Sequence, residues 1–323
     1  MQVRQLQVGA SVAMPLLVRE ARARSLREGG ELLKLTLGDR TGCLPAVVLE
    51  EIEEAREICR AGAVVFVVGS LVSHELHGTR LEVETVRAAG EAEYQRHQLI
   101  DGPARPAGAL EADLRELVAT VQNADLRRLL AALVGEDTEV WGRFREAPAA
   151  KHYHQAYRHG LLEHSLTVAQ AVSAISATFP GIDRDVAVTG ALLHDIGKLD
   201  AYAMGGGVIE MTDQGRLYGE IALGYYLIRN TIERLEGFPA DTAQALLHII
   251  LSHHGSLEHG SPVIPCTREA TLVHMADNLG GKLGSFDRVE KALPAGAQWS
   301  SYDKGIGGGA FFAAPPMPER RAA

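Results

Sequence analysis

Cysteine is scarce: the chain has three (Cys43, Cys59 and Cys266) among 323 residues. That is too few, and too scattered, for a disulfide framework or a CxxC metal site. Aromatic residues make up only 5%, and no stretch approaches the roughly 18 uninterrupted apolar residues of a membrane span. The opening MQVRQLQVGASVAMP lacks the basic flank and apolar core of a signal peptide. A basic excess is missing too: 32 Lys and Arg face 41 Asp and Glu, a formal net charge of -9. Proteins that coat nucleic acid without selectivity neutralise phosphates with such an excess. Any nucleic acid is therefore expected at a local site, with metal ions helping. What the chain does have is 46% hydrophobic and 23% charged residues, an ordinary globular balance that excludes disorder for its bulk. At roughly 150 residues per domain its length suits about two domains. We expect a cytoplasmic, globular chain with no membrane partner.

From Val12 to Arg87 the pattern is one of strands: Val12 to Val18, Glu31 to Leu37, Leu44 to Leu49, Ala63 to Val72 and Leu81 to Val86. The last alternates with period two, and Gly38 to Gly42 supplies turn residues. Glu50 to Arg60 has helical character, and Gly62 can end it. Five short strands with a helix between the third and fourth suit a small Greek-key barrel of the OB type. Phe66, in an apolar strand, is expected in its core.

Asp101 to Gly108 is rich in Pro and Gly and reads as a linker. Beyond it, apolar residues recur at three- and four-residue spacing: Leu110 to Val121, Leu126 to Val134, Leu161 to Ile175, Val186 to Ile196, Ile221 to Leu235, Ala243 to Leu251 and Ala270 to Leu279. Gly205 to Gly219 reads as a loop or hairpin. From Gly305 onward Gly and Pro dominate, and Gly307 to Gly309 lacks the Lys and Ser/Thr of a phosphate-binding loop. The expected organisation is a multidomain chain: an all-β OB-like barrel over 1–90, a linker over 91–108, an all-α domain over 109–295, and a weakly ordered tail over 296–323.

Histidines mark the chemistry. His164 lies in GLLEHSL, His194 and Asp195 in ALLHDIGK, His253 and His254 after an apolar run, and Asp277 in LVHMADN. Each interrupts an apolar helix face, so each is expected to point inward. Burying that many imidazoles and carboxylates is costly unless they are paired or bound to metal. Imidazole with carboxylate suits Mn, Fe, Co, Ni or Zn. The order H…HD…HH…D resembles the HD-domain metal-dependent phosphohydrolases.

The resemblance extends further. An OB-like barrel joined to an HD domain is similar to the YhaM family of 3′→5′ exoribonucleases. The matching segments are LGDRTG (Leu37 to Gly42), GLLEH (Gly160 to His164), LLHDIGK (Leu192 to Lys198), LSHHG (Leu251 to Gly255) and DNL (Asp277 to Leu279). The resemblance implies that His164, His194, Asp195 and Asp277 hold one divalent ion. Asp195 would bridge to a second, with His253 and His254 as further ligands. It implies Mn2+ above all, with Mg2+, Co2+, Fe2+ or Ni2+ as alternatives, as one or two ions. Asp195 and Lys198 are the catalytic candidates. Lys198, close behind His194 and Asp195 in sequence, shares their face if the helix continues, and would meet a substrate phosphate; the other reading is a solvated lysine. His154 is a candidate phosphate contact.

One departure stands out. Where the family carries a glycine-histidine pair between the HD and HH motifs, this chain has Gly219-Glu220. Glu220 either replaces the imidazole and favours a harder ion such as Mn or Mg, or points away and leaves the second site weak. In the barrel, Arg19, Arg22, Arg24, Arg27 and Lys34 form a basic cluster suited to tracking a phosphate backbone, with Arg22 and Arg24 as substrate contacts. Interleaved Glu20, Glu28 and Glu31 dilute it, and aromatics for base stacking are almost absent there.

The expected activity is metal-dependent 3′→5′ exonucleolytic hydrolysis of single-stranded RNA, and also DNA, to nucleoside 5′-monophosphates by a metal-activated water. An HD phosphohydrolase of nucleotides or cyclic dinucleotides is one alternative. A nucleic-acid-binding protein with a degenerate metal site is the other. A homo-oligomer is expected from the resemblance alone.

Overall fold

β-Branched and apolar residues at alternate positions turn the first ninety residues into a barrel. Its strands are β1 (Ser11–Ser25), β2 (Glu31–Asp39), β3 (Gly42–Val48), β4 (Val64–His74) and β5 (Gly78–Ala88). They close in the order β1-β2-β3-β5-β4. Neighbours are antiparallel except β3 and β5, whose parallel pairing seals the barrel. Helix α1 (Ile52–Ile58) lies between β3 and β4, burying Ala55 in the barrel core with Ile52 and Ile58 packed beside it. This is the expected OB arrangement.

The structure describes residues 2–25, 30–74, 78–99, 102–103, 105–151, 155–205, 208–293 and 297–313 of the chain and is a computed structural model. The chain divides into two units, Met1–Ile100 with Ser285–Ala323, and Asp101–Gly284.

Two features of the barrel depart from the sequence reading. β1 runs seven residues past Val18, because a bulge between Val18 and Glu20 turns its second half onto β2 alone. That half is mostly exposed and carries no apolar alternation to betray it. Phe66 is not in the core: with Val65 and Val67 pointing in, the period of two sends it out. There it lies opposite Pro15 and Arg87, whose guanidinium sits 4.5 Å from the ring centroid.

In the linker region, the short helix α2 (Arg96–Leu99) follows the barrel. The helical unit then comprises α3 (Ala107–Ala119), α4 (Ala124–Val134), α5 (Glu139–Phe144), α6 (Gly160–Ser176), α7 (Arg184–Leu193), α8 (Lys198–Ala201), α9 (Asp213–Glu233), α10 (Ala240–Ser252) and α11 (Arg268–Ala292). A small hairpin, β6 (Tyr202–Gly205) with β7 (Val208–Met211), overlaps the start of the Gly205 to Gly219 stretch read as loop or hairpin, whose remainder from Asp213 is helical in α9. The starts are chemically marked: Asn123, Thr138, Asp183 and Thr212 each cap a helix by accepting from its first free amides. α7 is the central helix, buried from Val186 to Leu193. Gly190 lets it approach α10 closely, since a Cβ there would stand 2.5 Å from Ile249. α11 outruns its predicted end at Leu279 by thirteen residues, the last eight of them in the barrel unit.

The structure differs from the sequence reading at the C-terminal end as well. Residues 297–313, read as tail, form a hairpin-like turn with bridges Trp299–Phe311 and Asp303–Gly308. Asp303 stabilises it by pairing with Arg288 at 2.7 Å and accepting from the Gly305 and Ile306 amides. Among the described residues no helix is long and apolar enough to cross a membrane.

Candidate metal centre

Four histidines and two carboxylates converge at the ends of α6, α7 and α10 and on α11. α6 delivers His164 from its second turn. The entry to that helix is tight, because Gly160 sits where a Cβ would press on the Gln155 carbonyl. His164 is 1% exposed, and its Nδ1 lies 3.1 Å from the Gln155 Oε1. Its Nε2 faces the His194 Nε2 at 3.2 Å, Asp277 Oδ1 at 3.1 Å and Asp195 Oδ2 at 3.3 Å.

Backbone carbonyls orient three more imidazoles. His194 donates from Nδ1 to the Ala191 carbonyl at 2.7 Å, His253 to Ile250 at 2.8 Å, and His254 to His259 at 2.9 Å. A carbonyl oxygen only accepts, so Nδ1 must carry the proton in each ring. Once a ring is neutral its Nε2 lone pair is then aimed into the site, as a metal-ligating imidazole requires. The rings follow one another at centroid distances of 5.1, 5.0 and 4.3 Å from His164 to His254.

Asp195 stands in the middle. Its Oδ2 faces His164 and His194, while its Oδ1 lies 3.6 Å from the His253 Nε2. Oδ1 and that Nε2 are both buried and have no hydrogen-bond partner. Leaving such groups unpaired is costly unless a cation joins them. Two close groups of ligating atoms result, His164 with His194 and Asp277, and Asp195 with His253 and His254, each within 4.8 Å. The donor set therefore fits divalent ions, with Asp195 between the two groups.

The electrostatics agree. Burial opposes charge on His194, but the Asp195 and Asp277 carboxylates outweigh it and push its pKa up to about 10. Burial also opposes ionisation of Asp195, yet the Lys198 and His194 charges hold it well below the usual range. Asp277 is held low against burial by hydrogen bonds from His164 and His194. A metal-free site thus keeps a proton where convergent lone pairs and carboxylates would otherwise hold an ion.

The other sequence candidates fall as follows. The helix does not continue to Lys198: α7 stops at Leu193, and Lys198 opens α8 after an intervening turn. Its side chain still reaches back, with Nζ at 2.5 Å from Asp195 Oδ2, and it is buried rather than solvated. Glu220 follows Gly219, whose φ of 75° breaks α9, and lies 3.8 Å from the His254 Nε2. It faces the second group without joining it. A close backbone approach sets that spacing: a Cβ on Gly197 would stand 1.9 Å from the Glu220 carbonyl oxygen. Arg22 and Arg24 are exposed on β1, in the barrel unit; Arg22 pairs with Glu20 at 2.5 Å and stands opposite Lys34. Arg19 instead bonds the Asp39 and Leu99 carbonyls. His154, Arg27 and Glu28 lie outside the described residues.

Sequence reasoning missed two supports. Gln155 orients His164, and no motif marks it. His274 accepts the role of brace: its Nδ1 donates to the His253 carbonyl at 2.7 Å, and its ring fills the space a Cβ on Gly255 would need. Its position one helical turn before Asp277 was the available signal.

Comparison with known proteins agrees with this geometry. The HD domain family model matches residues 161–281. The 3′-5′ exoribonuclease YhaM of Geobacillus sp. (strain WCH70) is 29% identical over 293 residues, 89% of this chain and 88% of that protein. YhaM of Bacillus subtilis (strain 168) is 28% identical over 290 residues, 89% and 90% of the two chains. A solved OB-fold domain of replication protein A from Methanococcus maripaludis covers 27% of this chain at 20% identity with a TM-score of 0.23, too slight a likeness to carry argument. An HD domain implies a divalent metal. Residues 161–281 form an HD domain, and the chain, from barrel to last helix, is similar to the YhaM 3′-5′ exoribonucleases.

Proposed function

We propose that this protein is a metal-dependent 3′→5′ exoribonuclease that releases nucleoside 5′-monophosphates from single-stranded RNA, with DNA as a second substrate. One observation carries the reading: six ligating groups converge in two sets around Asp195, with Asp195 Oδ1 and His253 Nε2 buried and unpartnered. Likeness to YhaM over about nine-tenths of the chain supplies the substrate class.

We assign His164, His194 and Asp277 to one ion and His253 and His254 to another, with Asp195 shared. Glu220, 3.8 Å from the His254 Nε2, would add a carboxylate to the second ion and favour Mn2+ or Mg2+ over softer ions. Bound divalent ions would supply a water of lowered pKa and positive charge against the attacking and leaving oxygens. The chain's own groups do the rest. Backbone-locked Nδ1–H groups keep the imidazole lone pairs aimed inward. Lys198 balances Asp195 and offers a cation to the substrate phosphate. Arg22 and Arg24 hold the phosphate backbone at the barrel, and His154 is assigned a phosphate contact. We place the chain in the cytoplasm, which its three scattered cysteines suit, and as a homo-oligomer.

The test is turnover of 5′-labelled RNA and DNA with and without Mn2+, run beside Asp195→Asn. Progressive shortening from the 3′ end, lost with EDTA and in the variant, is expected. Intact RNA under every ion would overturn the reading in favour of a small-nucleotide hydrolase.

A further inference from the structure

The barrel is nearly empty of aromatic residues. Phe66 is the only one before Tyr94, and the Arg87 guanidinium covers its ring. Yet single strands without fixed sequence are usually held by bases stacking on exposed rings. Four of the chain's aromatics instead fall within fourteen residues, Trp299, Tyr302, Phe311 and Phe312, in the part of the C-terminal segment that belongs to the barrel unit.

The backbone there presents two of these rings together. Ser300 donates to the Ala310 carbonyl at 2.9 Å and Phe312 to the Gln298 carbonyl at 2.7 Å, so the bonds flank the Trp299–Phe311 pair. Such a non-hydrogen-bonded pair holds its side chains closest on one face. The two rings lie 5.2 Å apart between centroids and are 65% and 51% exposed. Tyr302, in the turn, is 72% exposed. Phe312 faces the other way, edge-on to Phe286 of α11 at 6.4 Å, which anchors the turn. Asp303 ties it further to Arg288, and Gly305 packs closely beside Ser285. The Lys291 carbonyl of the same helix lies against Gly42, the first residue of β3. The rings are thus fixed to the barrel rather than loose.

Net charge opposes a polyanion less here than in the helical unit. Residues 285–313 hold three basic and three acidic residues, whereas 101–284 hold fifteen and twenty-three. Asp303 is spent on Arg288, and Lys304 is exposed at the tip of the turn. The surroundings are Ser and Gly rather than the continuous aliphatic surface of a subunit interface.

We propose that Trp299 and Phe311, with Tyr302 beside them, form a base-stacking platform that binds single-stranded RNA, supplying the aromatic contacts the barrel lacks. The inference rests on RNA being the substrate proposed above.

The chain's own fluorescence reports it. Of its two tryptophans, Trp141 is buried under Arg115 and Trp299 is exposed. Titration of the full chain with a twenty-nucleotide single-stranded RNA, in EDTA to prevent cleavage, should quench Trp299 emission saturably. Trp299→Leu and Phe311→Leu should weaken binding roughly 5- to 150-fold, the range that stacking of one base on one ring spans. Trp299→Phe should restore it to within a few-fold, and thermal melting of each variant separates a folding defect from lost binding. RNA that binds without quenching, and equally well to the leucine variants, would overturn the proposal. So would variants that change the sedimentation of the protein while leaving its RNA affinity alone, which would make the face a contact between copies. RNA degradation with Mn2+ but no quenching would reject the platform alone; quenching without degradation would uphold the platform and reject the exoribonuclease reading.

Discussion

Each unit buries a carboxylate, and the two carboxylates differ in what surrounds them. Asp39, 4% exposed, is the buried carboxylate of the barrel unit among the described residues. Its Oδ1 accepts from the Thr41 amide and hydroxyl, and its Oδ2 from the Val3 amide. Every oxygen is satisfied locally, so Asp39 ties the turn after β2 to the N-terminal segment. Asp195, 2% exposed, is ringed by three histidines and a lysine and still has an oxygen without a partner. A satisfied buried charge holds a fold together; an unsatisfied one aimed at other ligating atoms marks a place for a cation. Both lie in segments on which the sequence resemblance was drawn, so the segment alone does not tell the two apart. The partners do.

The comparison breaks or sharpens first on paired substitutions. Asp195→Asn should lower RNA turnover by on the order of a thousandfold or more, since it removes the group shared by both ligand sets. Asp39→Ala should leave turnover of the surviving folded protein in place and lower stability by roughly 1–3 kcal/mol, the cost of its lost bonds. Initial rates and thermal melts of the two variants check this directly; equal effects on turnover would erase the distinction.

Metal removal should act on one unit. EDTA is expected to abolish turnover and lower the melting transition of the helical unit, because ions that bind only the folded site stabilise it by mass action. The Asp195→Asn protein should show a smaller shift. Differential scanning calorimetry with and without Mn2+ reads both.

The pH dependence has a definite sign. In the metal-free chain the His194 pKa is raised to about 10 from an ordinary 6.5. Its contribution to stability is therefore fully present below about pH 6.5 and fades as pH rises through about 10. A ligating imidazole must give up that proton, so metal affinity should rise with pH, up to about tenfold per unit, across the same window. Calorimetric titration with Mn2+ in two buffers of different ionisation enthalpy should reveal about one proton released near pH 7.5.

Smaller effects are expected further out. Glu220→His should shift the metal preference away from Mn2+ by several-fold while changing the Mn2+ rate modestly, measured as relative rates with Mn2+ and Co2+. Arg22→Ala, at a residue 75% exposed and already paired with Glu20, should raise KM for RNA about twofold, and only at low salt.

Much of this was legible in the sequence. The H…HD…HH…D order marked residues that burial and backbone bonds do bring together, because each interrupted an apolar helix face. The barrel followed from the β-branched, apolar run that became β4 and from the alternation in β5. What stayed hidden has physical reasons. β1 continues past Val18 on an exposed stretch whose pairing with β2 leaves no apolar pattern. Lys198 reaches Asp195 across a turn, which helix spacing does not describe. Gln155 and His274 act through single long-range bonds, and the Trp299–Phe311 pair depends on a hairpin inside a Gly-rich segment that composition alone presents as tail.

The most direct measurement is a time course on 5′-labelled single-stranded RNA with Mn2+, with EDTA, and with Asp195→Asn. The account predicts a ladder receding from the 3′ end with Mn2+ alone, and full-length RNA in the other two. RNA left intact with Mn2+, or degraded equally by the variant, would contradict it.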